Sequence, residues 1–370
     1  MDISLYFHVP FCLKKCPYCH FCSFTPKDYH VQSFMEALFL ELKQKEKLLK
    51  NRSVVSIYFG GGTPTFLSEN NLKLILNWIS SSLDISSSCE ITIETNPGIS
   101  KEKILHLKEI GFNRVSVGVE SFNDKELKIL GRTHTKKDIF TTLDHLHKHF
   151  DNISIDLLYD IPHQTKASFA KTLQEVQSFF INHISLYNLT FEPKTPYFRD
   201  KEKLLLFVPN NTLSLEMLNL AILKLKEMGF KRYEISAFAK EGKISHHNTG
   251  YWIGREFLGF GPSAFSYLNQ TRFQNSANFQ NYIQSLNNGK SPICFEEKLD
   301  YPDNIHELLA INLRMLKGID IKQKKWNLPK NTLQILSQLE KENFLTTKNG
   351  HIQLTKKGLL FYDEVAEIII

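Results

Sequence analysis

Cysteine is scarce in this chain, with 6 in 370 residues. So low a count in so long a chain excludes the disulfide-stapled framework of a small secreted domain. Long apolar runs are missing as well: no stretch approaches the roughly 18 apolar residues of a membrane span. There is no block of basic residues either. The net charge of +6 is spread along the sequence, which points away from nucleic acid as a partner. The opening MDISLYFHVP carries Asp2 and His8 within its apolar stretch, so it does not read as a secretion signal. Free thiols suit a reducing compartment, and the expectation is a soluble, cytoplasmic protein. What remains is ordinary globular composition, 42% hydrophobic and 23% charged, long enough for one large domain and a smaller one.

The few cysteines are not scattered. Cys12, Cys16 and Cys19 stand at C-x3-C-x2-C in FCLKKCPYC. Three thiolates on one loop can hold three irons of a 4Fe–4S cluster, where a closed site uses four, and the fourth iron is left open to another ligand. A structural zinc site would need a matching Cys or His pair downstream, which is lacking. Cys22, close by, remains a candidate to close the site. The spacing is similar to that of the radical S-adenosylmethionine (SAM) superfamily. That resemblance implies that the methionine amino and carboxylate groups of SAM chelate the open iron. Electron transfer then splits the sulfonium to a 5′-deoxyadenosyl radical.

The first half repeats a short β-rich run, a turn and a helical stretch. Strands are expected at Ser4–Val9, Ser56–Phe59, Glu90–Thr95, Arg114–Val119, Ile153–Leu158 and Ile184–Thr190. Helix-period segments lie between them at Val31–Leu49, Glu69–Ser81, Lys101–Ile110, Lys136–His149 and Ala167–Phe180. Six βα units in series predict an α/β fold whose parallel sheet curls into a partial (β/α)6 barrel. After Thr190 the pattern loosens, with one amphipathic helix at Thr212–Glu227. From residue 304 a helix–helix–hairpin–helix order, with Asn349–Gly350 as the hairpin turn, predicts a small α+β winged-helix-like region. The expected division is 1–230, 231–303 and 304–370.

Chemistry in such a fold belongs where strands end, and the unusual residues fall there. The cysteines follow strand one, and Gly60–Gly61–Gly62–Thr63–Pro64 follows strand two. Glycines allow close backbone approach; the run lacks the Lys-Ser/Thr ending of a P-loop, and contact with the SAM amino group is the better reading beside an open iron. Tyr18, between two cysteines, offers a ring for adenine or a shield from water. Tyr6 shares a strand face with His8, a face that is either core or site. Glu94, Glu120, Arg132 and Asp156 sit in or after strands, where carboxylates can accept ribose hydroxyls and arginine can pair a carboxylate. Individually each reads as a structural charge; gathered on the cysteine face they read as cofactor contacts. Finally, His246–His247–Asn248–Thr249–Gly250–Tyr251–Trp252 offers an exposed-looking imidazole among aromatics, which suits haem, unless its aromatics merely anchor a loop to the barrel.

The segments HVPFCLKKCPYC, YFGGGTPT, IETNP, GVESF, LGRTH, IDLLYDIP-x-QT, LTFEPKTP and HNTGYW occur in the order found in the HemW/HemN group of radical SAM proteins, which this chain resembles over nearly its whole length. The resemblance implies cluster ligation by Cys12, Cys16 and Cys19. It implies SAM contacts from Tyr6, Tyr18, Gly61, Gly62, Thr63, Glu94, Arg132 and Asp156. Glu120 stands where the group usually has Gln, so an acceptor replaces a donor. The group holds oxygen-independent coproporphyrinogen III oxidases and haem chaperones, and three features imply the chaperone branch. Phe21 stands where the oxidases carry a further cysteine, with Cys22 displaced by one. Cys12 leaves no room for their long leading segment. H-N-x-x-Y-W, at His247–Trp252, is the chaperones' haem-binding signature. Haem, an acceptor protein and an electron donor for the cluster are the implied partners.

Overall fold

In the computed structural model, which describes residues 1–323 and 326–370, six parallel strands run side by side in chain order. They are β1 (Asp2–Val9), β2 (Ser53–Gly61), β3 (Asp84–Thr95), β4 (Arg114–Glu120), β5 (Ile153–Tyr159) and β6 (His183–Asn188). Helices Asp28–Lys45, Glu69–Ser82, Lys101–Glu109, Lys136–His147 and Lys166–Glu175 connect them, each βα unit returning the chain to a parallel neighbour. This is the expected α/β fold, with β3 longer and β6 shorter than the sequence suggests.

The strands alternate strictly. Leu5, Phe7, Ile57, Phe59, Val115, Val117, Ile155 and Leu157 point outward and are at most 1% exposed beneath the helices. The neighbouring positions Ser4, Tyr6, Tyr58, Glu94, Arg114, Ser116 and Asp156 point inward. The barrel interior is therefore polar, unlike the branched aliphatic filling usual for a closed barrel.

The sheet extends beyond six strands on both sides. Next to β1 lies parallel β9 (Phe257–Phe260), followed by antiparallel β10 (Phe265–Leu268), β11 (Thr271–Asn275) and β12 (Ile293–Lys298). Next to β6 come β8 (Ala237–Ala239) and β7 (Lys231–Arg232). The sequence did not reveal these edge strands. A separate core of Leu309, Leu313, Trp326, Leu336, Leu345, Val365 and their neighbours forms around helices Asp303–Asn312 and Lys330–Lys341. It includes a hairpin, Leu345–Lys348 with His351–Leu354, joined by Ile319–Asp320. The expected hairpin is present; the final helix is two, Lys356–Leu360 and Tyr362–Ile369. Among the described residues no helix is long and apolar enough to cross a membrane.

Candidate functional site

At the C-terminal ends of the strands a cavity of about 510 Å³ opens between the cysteine loop and the barrel. Cys12, Cys16, Cys19 and Tyr18 line one side. Gly61, Gly62, Thr63, Glu94, Glu120, Arg132 and Asp156 line the other. All but two of the expected site residues thus meet in one place.

The cysteine loop is seated by backbone bonds. Cys12 N–H donates to Phe24 O at 3.0 Å and Cys19 N–H to Cys16 O at 3.1 Å. The glycine run holds it from beneath, because Gly62 N–H donates to Val9 O (2.8 Å) and Thr63 N–H to Phe11 O (2.7 Å). A Cβ on Gly62 would stand 2.6 Å from Phe11 O, and one on Gly61, at φ 104°, would stand 2.7 Å from the His8 ring. The N–H groups of Gly62 and Thr63 are thus already committed to the loop. The glycines first make room for it.

Side chains reach the thiols from across the cavity. The Thr63 hydroxyl lies 3.7 Å from Cys12 Sγ and Arg132 Nη1 lies 3.5 Å from Cys16 Sγ. Burial pushes the Cys19 thiol up to about 11, so a thiolate there needs the positive charge of a metal. Among the described residues no three His, Cys, Asp or Glu side chains converge as ligands of one ion. A cubane sets each thiolate on a different iron, so its ligands stand farther apart than those of a single zinc. Cys22 does not join them: its thiol donates to Ala277 O at 3.2 Å. The donor set therefore fits a cluster with one open iron.

The far wall is acidic and crossed by one guanidinium. Arg132 donates to Asn96 Oδ1 (2.6 Å) and Gly118 O (2.7 Å), and its Nη1 stands 3.5 Å from Glu120 Oε1. Glu120 takes φ 64° at a bulge that ends β4, a conformation rare for a side chain of this length and one that turns it into the cavity. Burial pushes Glu120 up to about 7 against the pull of Arg132. Burial likewise raises Glu94 to about 7, although the Tyr58 hydroxyl donates to it at 2.7 Å. Burial raises Asp156 too, countered by Ser185, Arg114, Arg132 and Ser116. Sequence reading missed Tyr58, Asn96 and Arg114. Period-two alternation from Ser56 and Ser116 is the signal that finds Tyr58 and Arg114 on the inner face.

Two expected residues lie elsewhere. Tyr6 sits beneath Gly60, its hydroxyl 3.1 Å from His8 Nδ1, in the packed layer below the cavity. His247 is not exposed: it is 1% accessible, inside the lower end of the barrel. Its segment is a helix, His246–Trp252, whose first N–H groups bind the Glu90 carboxylate at 3.1 and 3.0 Å. The imidazole Nδ1 meets Ser56 Oγ at 3.0 Å and Nε2 meets the Tyr251 hydroxyl at 2.8 Å. The ring stacks on Tyr58 with centroids 4.9 Å apart. Burial lowers its pKa to about 3, so it is neutral. With both nitrogens engaged, His247 does not fit as an axial ligand of haem. The expected exposure is not found because a polar His-His-Asn run reads as surface, whereas this barrel's interior is polar.

Residues 6–176 match the Radical SAM superfamily model and residues 299–361 the HemN C-terminal domain model. The chain is 33% identical to "Heme chaperone HemW" of Bacillus subtilis, over 98% of this chain and 97% of that protein. It is 30% identical to "Radical S-adenosyl methionine domain-containing protein 1, mitochondrial" of Danio rerio, over 100% and 87%. Coproporphyrinogen III oxidase (HemN) from Escherichia coli, a radical SAM enzyme, superposes with a TM-score of 0.88 at 26% identity, covering 100% of this chain and 90% of that one. The chain belongs to the HemW/HemN family of radical SAM proteins.

Proposed function

We propose that this chain holds a 4Fe–4S cluster on Cys12, Cys16 and Cys19, holds SAM across the same cavity, and binds haem for delivery to an acceptor protein. The cluster reading rests on one observation above others: three thiols face a cavity while the fourth nearby thiol is bonded away, to Ala277 O. When bound, cluster and SAM supply one-electron chemistry; an electron donor must serve the cluster. The chain's own residues bind and orient. Arg132 offers its guanidinium to a carboxylate, and Glu94 and Asp156 accept from hydroxyls. Tyr18 presents its ring beside the cysteines. Burial raises the Glu120 carboxyl to about 7, and its protonated form regains the donor that a carboxylate lacks.

The haem reading is supported by the names of relatives such as the Bacillus subtilis protein, by Phe21 in place of the oxidases' cysteine, and by the H-N-x-x-Y-W segment. The geometry of His247 adds no support to that segment's part in ligation. The second reading, oxidative decarboxylation of coproporphyrinogen III, is favoured by the full-length match to the Escherichia coli oxidase. Anaerobic reconstitution followed by iron and sulfide counts should give about four of each per chain, and haem titration should saturate. Incubation with SAM, reductant and coproporphyrinogen III should leave that substrate unchanged. Stoichiometric protoporphyrinogen would overturn the chaperone reading.

A further inference from the structure

An iron short of a protein ligand is open to any thiol within reach. A thiolate tethered to the same loop has an effective concentration that a dissolved cofactor does not match. Cys22 follows Cys19 by three residues, at most about 10 Å of chain. Its neighbours Cys19, His20, Phe21 and Ser23 line the cavity, yet Cys22 is not part of the wall. We infer that His8, held by Tyr6, is a positioning residue that keeps Cys22 off the open iron and so reserves that iron for SAM; this rests on the cluster and SAM reading above. Two ties from distant parts of the chain restrain Cys22. One is the bond of its thiol to Ala277 O at 3.2 Å, just ahead of helix Phe279–Asn287. A thiol is a weak donor, and this tie holds only the side chain. The second holds the backbone: His8 Nε2 lies 2.7 Å from Cys22 O. A carbonyl only accepts, so Nε2 carries the proton, and Nδ1 accepts from the Tyr6 hydroxyl at 3.1 Å. The two partners thus fix the tautomer. The ring is 4% exposed and fills the space beside Gly61, where a Cβ would stand 2.7 Å from its Nδ1 and Cε1. Just beyond Cys22 the chain is stitched down, Phe24 N–H donating to Pro10 O at 2.9 Å and Cys12 N–H to Phe24 O at 3.0 Å. Between that stitch and Cys19, His8 is the buried group that fixes which way the Cys22 backbone faces.

The test uses the full chain, reconstituted anaerobically, with iron and sulfide counted and the EPR spectrum of the reduced cluster recorded with and without SAM. In the wild type SAM should shift that spectrum. In His8→Phe, which keeps a ring but neither nitrogen, Cys22 should lose its thiol proton to solvent as it binds the iron. Iron should then stay at about four per chain, the SAM-induced shift should vanish, and the reduction potential should fall with the added thiolate charge. Cys22→Ser in the His8→Phe background should restore the shift, and Cys22→Ser alone should behave as the wild type does. A full SAM shift in His8→Phe overturns the inference, and so does a shift that stays lost in the double variant. Loss of iron from any of these variants marks a loop brace or a cluster ligand instead, and overturns it too. A wild-type cluster whose spectrum ignores SAM overturns the open-iron reading and this inference with it.

Discussion

A single buried imidazole shows how polarity inside this barrel is stabilised. His247 bridges Ser56 and Tyr251 at 3.0 and 2.8 Å with no access to water. Removing it leaves a cavity and takes a partner from the Tyr251 hydroxyl, while Ser56 keeps its bond to Ser4 Oγ at 2.8 Å, so His247→Ala should cost roughly 2–4 kcal/mol in urea unfolding. The same burial sets a pH dependence. The folded pKa, about 3, lies below the unfolded value near 6.5, so the unfolded chain binds more protons between them. Stability is therefore present above the unfolded pKa and lost as pH falls. Between pH 7 and pH 5 the loss from this one ring is about 2 kcal/mol. His247→Gln, which keeps a side chain of hydrogen-bonding capacity but cannot titrate, should flatten the wild-type pH profile of the urea midpoint by that amount. An unchanged profile would show that the ring gives up a proton no more readily in the fold than in the open chain.

The glycine turn after β2 illustrates how one element fixes another. Gly62→Ala would drive a Cβ to 2.6 Å from Phe11 O and 2.9 Å from Phe11 N, both backbone atoms that cannot swing aside. The cysteine loop must then shift, and we expect iron content after reconstitution to fall from about four to below one per chain, with far-ultraviolet circular dichroism unchanged. Gly98, at φ 96° with nothing within 4 Å of a new Cβ, is the control: Gly98→Ala should cost about 1 kcal/mol of backbone strain and no iron. The elements themselves divide into legible and illegible ones. Runs such as RVSVGVE and ISIDLLY announce parallel strands by their branched residues, but their alternation, which sets Asp156 and Arg114 on a polar inner face, is masked by the expectation that a parallel strand is apolar on both sides. The added strands Phe257–Phe260 and Phe265–Leu268 are four residues each, divided by Gly261 and Pro262, and carry no period that a sequence can display. The first N–H groups of His246–Trp252 bind the carboxylate of Glu90, far back along the chain, and such long-range pairing leaves no local mark.

At the scale of the whole molecule, the C-terminal region and the lower end of the barrel are joined through Arg314. Its guanidinium lies 4.3 Å from the centroid of Trp252, at the end of the helix that carries His247, and 5.1 Å from that of Tyr362 in the C-terminal core. It also approaches Glu234 Oε2 at 3.5 Å and Ser236 Oγ at 3.4 Å, beside the strands that extend the sheet past β6. Close packing reinforces the joint: a Cβ on Gly254 would stand 2.3 Å from Leu308 Cδ1. Three parts of the chain therefore share one cation, and a cation between two rings contributes on the order of 1–2 kcal/mol when partly desolvated. Arg314→Ala removes that link and leaves Glu234 without its counter-charge. We expect hydrogen exchange to quicken by roughly tenfold along His246–Trp252 and in the Asp303–Asn312 helix, the protection that 1–2 kcal/mol of local stability provides. Exchange in the cysteine loop, held by Phe24, Val9 and Phe11 at the opposite end of the barrel, should stay as it is. Equal quickening in both places would mean that the barrel opens as one unit, and that the C-terminal region braces all of it rather than its lower end.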